Sequence, residues 1–216
     1  MVIGPFLVLP DWECPIGRKW NQLLTKLFCN MPTLNDKFVA ILTETGFEES
    51  ELKSPKQALE EVGATVHVIS PAKSIKGWKG GNWTEEVKID KSLSDANPAD
   101  YHALMIPGGV INPDKLRTNT DAIDFVQSFF EAGKPIGAIC HGPQVLIETG
   151  ALEGREMTSW PSIKTDLINA GVAWTDSECV CDSALVTARK PDDLPAFNKK
   201  LIEEIREGVH EAQKTV

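Results

Sequence analysis

Only one tyrosine and four histidines occur in 216 residues, and no apolar run approaches the roughly 18 residues that a membrane-spanning helix needs. Basic residues are also short. Lys and Arg number 22 against 31 Asp and Glu, so the formal net charge is −9. With a pI near 5.0, this argues against nucleic acid or an anionic membrane as a partner. The five cysteines (Cys14, Cys29, Cys140, Cys179, Cys181) are odd in number and lack CxxC spacing, which speaks against a disulfide framework or a zinc site. His67, His102 and His210 have no ligand partner at useful spacing, so neither a metal nor any other cofactor is expected. The apolar stretch Met1–Pro10 has no basic residues before it and no small-residue cleavage site after it, so the expected compartment is the cytoplasm. The sequon Asn82-Trp83-Thr84 reads as accidental without a secretory signal.

Strand and helix patterns alternate along the rest of the chain. Phe38–Thr43 predicts a buried strand, followed by the acidic loop Glu44–Glu49 and a helix over Glu51–Val62 with Pro55 inside it and Gly63 as its stop. Strands follow at Thr65–Ile69 and Ala103–Ile106, with a glycine- and tryptophan-rich β excursion over Ile75–Ile89 between them. Asp121–Ala132 has helical spacing, Val172–Cys181 and Ala184–Ala188 read as a hairpin turning at Asp182-Ser183, and Leu194–Val209 closes the chain as an amphipathic helix. The order implies a parallel sheet covered by helices on both faces. In the same reading, Trp78, Trp83, Cys179 and Cys181 are packing residues, and Glu203, Glu204 and Glu207 form a solvated helix face.

The richest segment is Pro135-Ile-Gly-Ala-Ile-Cys140-His-Gly-Pro143. A short apolar run ends in Cys140 and a helix over Gln144–Gly150 follows. This is the pattern of a strand–nucleophile–helix elbow, in which small residues two before (Ala138) and two after (Gly142) permit the tight turn. Ligands of such sheets gather beyond the carboxyl ends of the strands. Three loops converge there, carrying Glu48 and Glu51, then Gly108 and Gly109, then Cys140 and His141. The backbone N–H groups of Gly109 and His141 form a candidate oxyanion hole. Helix-start N–H groups favour the Cys140 thiolate, which predicts a lowered pKa. A nearby acid can help only when protonated, as a hydrogen-bond donor to sulfur.

From about Lys37 onward the chain resembles the PfpI family of intracellular cysteine peptidases and protein deglycases, of the class I glutamine-amidotransferase-like superfamily. The resemblance rests on Phe47-Glu-Glu-Ser-Glu-Leu52, Met105-Ile-Pro-Gly-Gly109, Ala138-Ile-Cys-His-Gly-Pro143, Thr158-Ser-Trp-Pro161 and Asn169-Ala-Gly-Val172. It implies a three-layer α/β/α sandwich with a flavodoxin-like, mostly parallel sheet. It also implies Cys140 as nucleophile, His141 as its neighbour, Glu48 as the acid beside the thiol, and a homo-oligomer (dimer, trimer or hexamer). In peptidase members a carboxylate from a neighbouring subunit orients the histidine, and Asp114 occupies that position here on a surface loop.

The resulting expectation is a cysteine-dependent enzyme acting on glyoxal-modified protein or a small aldehyde, as an intracellular peptidase in stress response, or both. The alternative is a redox sensor or chaperone whose Cys140 is oxidised without turnover. A glutaminase domain is disfavoured, because His210 has no H-x-E partner. Residues 1–36 form an extension in which Trp20, Leu23, Leu24, Leu27 and Phe28 share one face of a short helix, and residues 37–216 form the α/β domain.

Overall fold

The computed structural model describes residues 33–214; the expected helix around Trp20–Phe28, with Cys14 and Cys29, lies outside them. In chain order the described residues form β1 (Phe38–Leu42), α1 (Glu49–Glu61), β2 (Thr65–Ser70), β3 (Ser74–Lys79), β4 (Asn82–Lys88), β5 (Lys91–Ser92), β6 (Ala103–Ile106), α2 (Ile111–Leu116), α3 (Thr120–Glu131), β7 (Ile136–Ile139), α4 (Pro143–Ile147), β8 (Glu156–Met157), α5 (Lys164–Asn169), β9 (Ala173–Trp174), β10 (Cys179–Asp182), β11 (Leu185–Ala188) and α6 (Leu194–Glu207), with short 3-10 turns between. The main sheet runs β10-β11-β7-β6-β1-β2-β5 and is parallel except for the edge strand β10. Among the described residues no helix is long and apolar enough to cross a membrane.

Each inner strand is buried on both faces, which is why β6 reads Ala-Leu-Met-Ile and β7 reads Ile-Gly-Ala-Ile without polar alternation. Alternate residues feed two separate cores. Leu42, Leu104, Ile106 and Ile136 meet Phe125, Phe129 and Phe130 of α3, with Val145 and Leu167 beyond. Val39, Ile41, Met105 and Val186 meet Leu52 and Leu59 of α1 and Phe197, Leu201 and Ile205 of α6. This makes three layers of α/β/α type. The core also reaches back before Lys37. Leu34 is fully buried, and its N–H donates to the Val62 carbonyl at 2.7 Å.

From β1 the sheet grows one way to β2 and the other way to β6 and β7, so the crevice at this reversal opens beyond the carboxyl ends of β1, β6 and β7. The β excursion is a hairpin, β3–β4, turned by Gly80 and Gly81 at φ +55° and +86°, with Trp78 and Trp83 edge to face across it.

Several elements differ from the sequence reading. The strand expected over Val172–Cys181 divides. Ala173–Trp174 pairs with β8, while Cys179–Asp182 joins the main sheet and turns at Ser183-Ala184, both with positive φ. Asp114 lies within α2 rather than on an irregular loop, because Pro113 falls in the first turn of that helix, where no N–H is required. Glu204 is buried rather than solvated, since Lys200 reaches it at 2.8 Å and His210 at 3.4 Å. His210 itself follows Gly208, which ends α6 at φ +91°.

Candidate active site

β7 delivers Cys140 into the crevice on a strained turn. Cys140 has φ +61°, a left-handed conformation unusual for a residue with a β-carbon. The turn is over-determined by its bonds. Cys140 N–H donates to the Ala188 carbonyl at 2.9 Å, Gly142 N–H to the Ile139 carbonyl at 2.8 Å, and Trp160 N–H to the Cys140 carbonyl at 2.9 Å. A β-carbon on Gly142 would lie 2.7 Å from the Ile106 carbonyl oxygen, so only glycine fits the elbow there.

The carboxyl facing the thiol belongs to Glu51. It lies in the first turn of α1, is fully buried and hydrogen-bonds with the Cys140 side chain. Its Oε2 accepts the Gly108 N–H at 2.9 Å, whereas Oε1 is buried with no nitrogen or oxygen partner. A carboxyl so placed stays protonated. Burial pushes Glu51 up to about 8, against the opposing hydrogen bonds from Cys140 and Gly108. Gly108 must be glycine for this contact, since a β-carbon would come within 2.6 Å of Cys140 Cβ.

Glu48, the acid expected beside the thiol, stands instead at the N-cap of α1. Its Oε1 is 3.5 Å from the Ser50 hydroxyl, and its backbone bridges to Trp78. Burial raises its pKa as well, opposed by hydrogen bonds from Ser50. The helix phase decides between the two acids. Glu51, Leu52, Pro55 and Leu59 are the buried face of α1, and Glu48 precedes it.

The thiol contradicts the expectation of a lowered pKa, since its value lies above the ordinary thiol value instead. Burial first, and then the charge of an ionised Glu51, push Cys140 up, while the N–H groups of Gly109 and His141 pull it down. Those two N–H groups, the expected oxyanion pair, therefore both reach the sulfur. At neutral pH the proton held by Glu51 removes the opposing charge and places a donor beside the sulfur.

His141 Nδ1 lies 3.3 Å from Cys140 Sγ, so the ring faces the thiol despite being its immediate neighbour in sequence. Nε2 is 3.0 Å from the Ser162 hydroxyl, and the ring stacks on Trp160 at 6.1 Å. Burial lowers the His141 pKa, leaving a neutral imidazole able to take a proton from sulfur. Ser162 carried no signal in the sequence reading; it follows the Thr158–Pro161 motif directly. Asp114 is exposed on α2. Among the described residues one group of metal-type ligands converges, Glu204, Glu207 and His210, and it includes no residue of the Cys140 site.

Comparison with known proteins identifies relatives over most of the chain. Residues 37–204 match the DJ-1/PfpI family. YraA of Bacillus subtilis, named as a candidate cysteine protease, is 46% identical over 166 residues, spanning 76% of this chain and 95% of its own. Protein/nucleic acid deglycase 2 of Escherichia coli is 42% identical over 169 residues, 77% of this chain and 96% of its own. Among solved structures, Drosophila melanogaster DJ-1beta is similar with a TM-score of 0.72 and 27% identity, over 79% of this chain and 90% of its own.

Proposed function

The chain belongs to the DJ-1/PfpI family, and on that footing we propose that it is a cysteine-dependent enzyme that attacks the carbonyl carbon of glyoxal-derived adducts or small aldehydes. The observation that carries this reading is the convergence on one sulfur of a protonated carboxyl (Glu51), an imidazole (His141) and two backbone N–H groups (Gly109, His141). Relatives named deglycases support it.

In this scheme an adduct first releases its amine or thiol to give the free 2-oxoaldehyde. His141 takes the Cys140 thiol proton and the sulfur lone pair forms a C–S bond to the aldehyde carbon. The carbonyl π electrons move to oxygen, which accepts hydrogen bonds from the Gly109 and His141 N–H groups. For a 2-oxoaldehyde, transfer of the carbon-bound proton from C1 to C2 converts the hemithioacetal to a thioester. Water then hydrolyses the thioester to a 2-hydroxy acid and regenerates the thiol. Net, one 2-oxoaldehyde and one water give one hydroxy acid, with no external oxidant. Peptide hydrolysis would use the same attack, with His141 returning its proton to the leaving amine.

The test incubates the protein with methylglyoxal and with a methylglyoxal-treated peptide, measuring lactate and unmodified peptide by mass spectrometry. Lactate release that disappears in Cys140→Ser is the expected result. Cleaved peptide without lactate would replace this reading by a peptidase, and retained lactate release in Cys140→Ser would remove Cys140 from the chemistry.

A further inference from the structure

Asn112 is completely buried, at the second position of α2, and none of its side-chain bonds serves its own helix. Its Nδ2 donates to the Pro107 carbonyl at 2.7 Å and to the Gly108 carbonyl at 3.2 Å. Its Oδ1 accepts the Glu44 N–H at 2.6 Å and the Thr43 hydroxyl at 3.3 Å. One amide therefore ties the loop after β6 to the loop after β1.

The two carbonyls it holds are not arbitrary. A trans peptide unit is planar, so the direction of its C=O fixes the opposite direction of its N–H. Pro107 C=O shares its unit with Gly108 N–H, which donates to Glu51 Oε2 at 2.9 Å. Gly108 C=O shares its unit with Gly109 N–H, which acts on both the Cys140 sulfur and the Glu51 carboxyl. Both site-facing donors thus have their rear carbonyls on a single NH₂ group. The segment needs such a brace. Gly109 has φ +77° and Gly108 carries no side chain, so neither residue restrains its own peptide planes. Contact across the two loops is close as well, since a β-carbon on Gly109 would lie 2.8 Å from the Glu48 nitrogen.

We propose that Asn112 is a positioning residue, whose carboxamide aims the Gly108 N–H at Glu51 and the Gly109 N–H at the sulfur and at the oxyanion that forms beside it. Its role in turnover rests on the carbonyl chemistry proposed above, but its role in setting the state of Cys140 does not. Donation to a carbonyl oxygen also polarises the N–H of the same peptide unit, which adds to the aiming. The acceptor side of Asn112 only anchors the amide, so it is the donor side that sets the site.

The experiment follows Cys140 alkylation by iodoacetamide against pH, with the modified peptide quantified by mass spectrometry so that the other thiols do not interfere. The variants are Asn112→Ala, the near-isosteric Asn112→Asp, which keeps the acceptor and loses both donors, and Thr43→Val, which loses only an acceptor-side partner. Weaker N–H bonds raise the pKa of both Glu51 and Cys140. In folded Asn112→Ala and Asn112→Asp the alkylation midpoint therefore moves up by about one pH unit, with roughly tenfold slower labelling near neutrality. Thr43→Val stays at the wild-type midpoint. An unchanged midpoint in folded Asn112→Asp, or an equal shift in Thr43→Val, overturns the proposal. Should wild type release no lactate while these shifts are found, the proposed reaction fails and the positioning role stands.

Discussion

The fully buried Glu51 carboxyl hydrogen-bonds with the Cys140 thiol, with its Oε2 held by the Gly108 N–H at 2.9 Å. Two acidic groups this close cannot both ionise cheaply, so they titrate as a pair. The pair, more than either residue alone, sets the pH range in which sulfur can act as a nucleophile.

Replacing Glu51 by glutamine separates the two roles of that carboxyl. Glutamine keeps a donor beside the sulfur and removes the negative charge that pushes the thiol up. Cys140 alkylation above pH 8 is expected to be faster in Glu51→Gln than in wild type, by about tenfold for one unit of pKa. Equal rates across pH 6–10 would show that the carboxyl does not couple to the thiol.

The same carboxyl makes stability depend on pH with an unusual sign. Its folded pKa, about 8, lies above the ordinary 4.5. Between those values the folded state therefore binds one more proton than the unfolded chain, and stability falls as pH rises. The contribution is fully present below about pH 4.5 and lost by about pH 8, on the order of a few kcal/mol in all. Urea midpoints at pH 5.5, 7 and 8.5 should decline more steeply for wild type than for Glu51→Gln. Parallel slopes would place the Glu51 proton outside the folding equilibrium.

Most of the scaffold was legible because its strands are short, doubly buried runs. Phe38–Leu42, Ala103–Ile106 and Ile136–Ile139 have no polar interruption, and the last two stop at Pro107 and Cys140. The choice between Glu48 and Glu51 depends on helix phase. The spacing of Glu51 with Pro55 and Leu59 at i, i+4 and i+8 carries that phase, but an inward-facing glutamate contradicts the usual polarity rule. The hairpin turn was placed at Asp182-Ser183, one residue early, because Ala184 is not a type that ordinarily adopts positive φ. The brace through Asn112 was invisible for a different reason. Its partners Thr43 and Glu44 lie 69 and 68 positions away, and only the folded chain brings them together.

Arg155 anchors the far part of the fold. It is almost fully buried and donates to Asp182 Oδ2 at 3.0 Å, to the Asp182 carbonyl at 2.5 Å and to Gln213 Oε1 at 2.7 Å. Arg155 is buried but the Asp182 side chain is a quarter exposed, so removing the guanidinium costs less than breaking a fully buried pair, about 1–3 kcal/mol. Arg155→Ala is expected to lower the unfolding free energy, measured by urea titration, by that amount without moving the Cys140 alkylation profile. A loss below about 1 kcal/mol would mean that the network merely decorates the surface of β10.

The last prediction weighs the two groups that could orient His141. Within the chain, Ser162 Oγ sits 3.0 Å from Nε2, while Asp114 stands exposed on α2 and the chain's own histidine ring already has a partner at each nitrogen. A hydroxyl both donates and accepts, so Ser162 holds the ring in place without selecting its tautomer; a carboxylate accepts only and would fix a proton on Nε2, leaving Nδ1 free to take the thiol proton. We propose that Asp114 of a second copy supplies that carboxylate, displacing the Ser162 contact on assembly. Asp114→Ala should then lower turnover by about tenfold or more at concentrations where the oligomer forms, as expected for about 1.5–3 kcal/mol from a charge-assisted hydrogen bond. Ser162→Ala should cost less than threefold there and more in dilute protein. Turnover against concentration, read beside light scattering, separates these cases. A monomer with full activity that depends on Ser162 and ignores Asp114→Ala would assign the ring's orientation to its own chain alone.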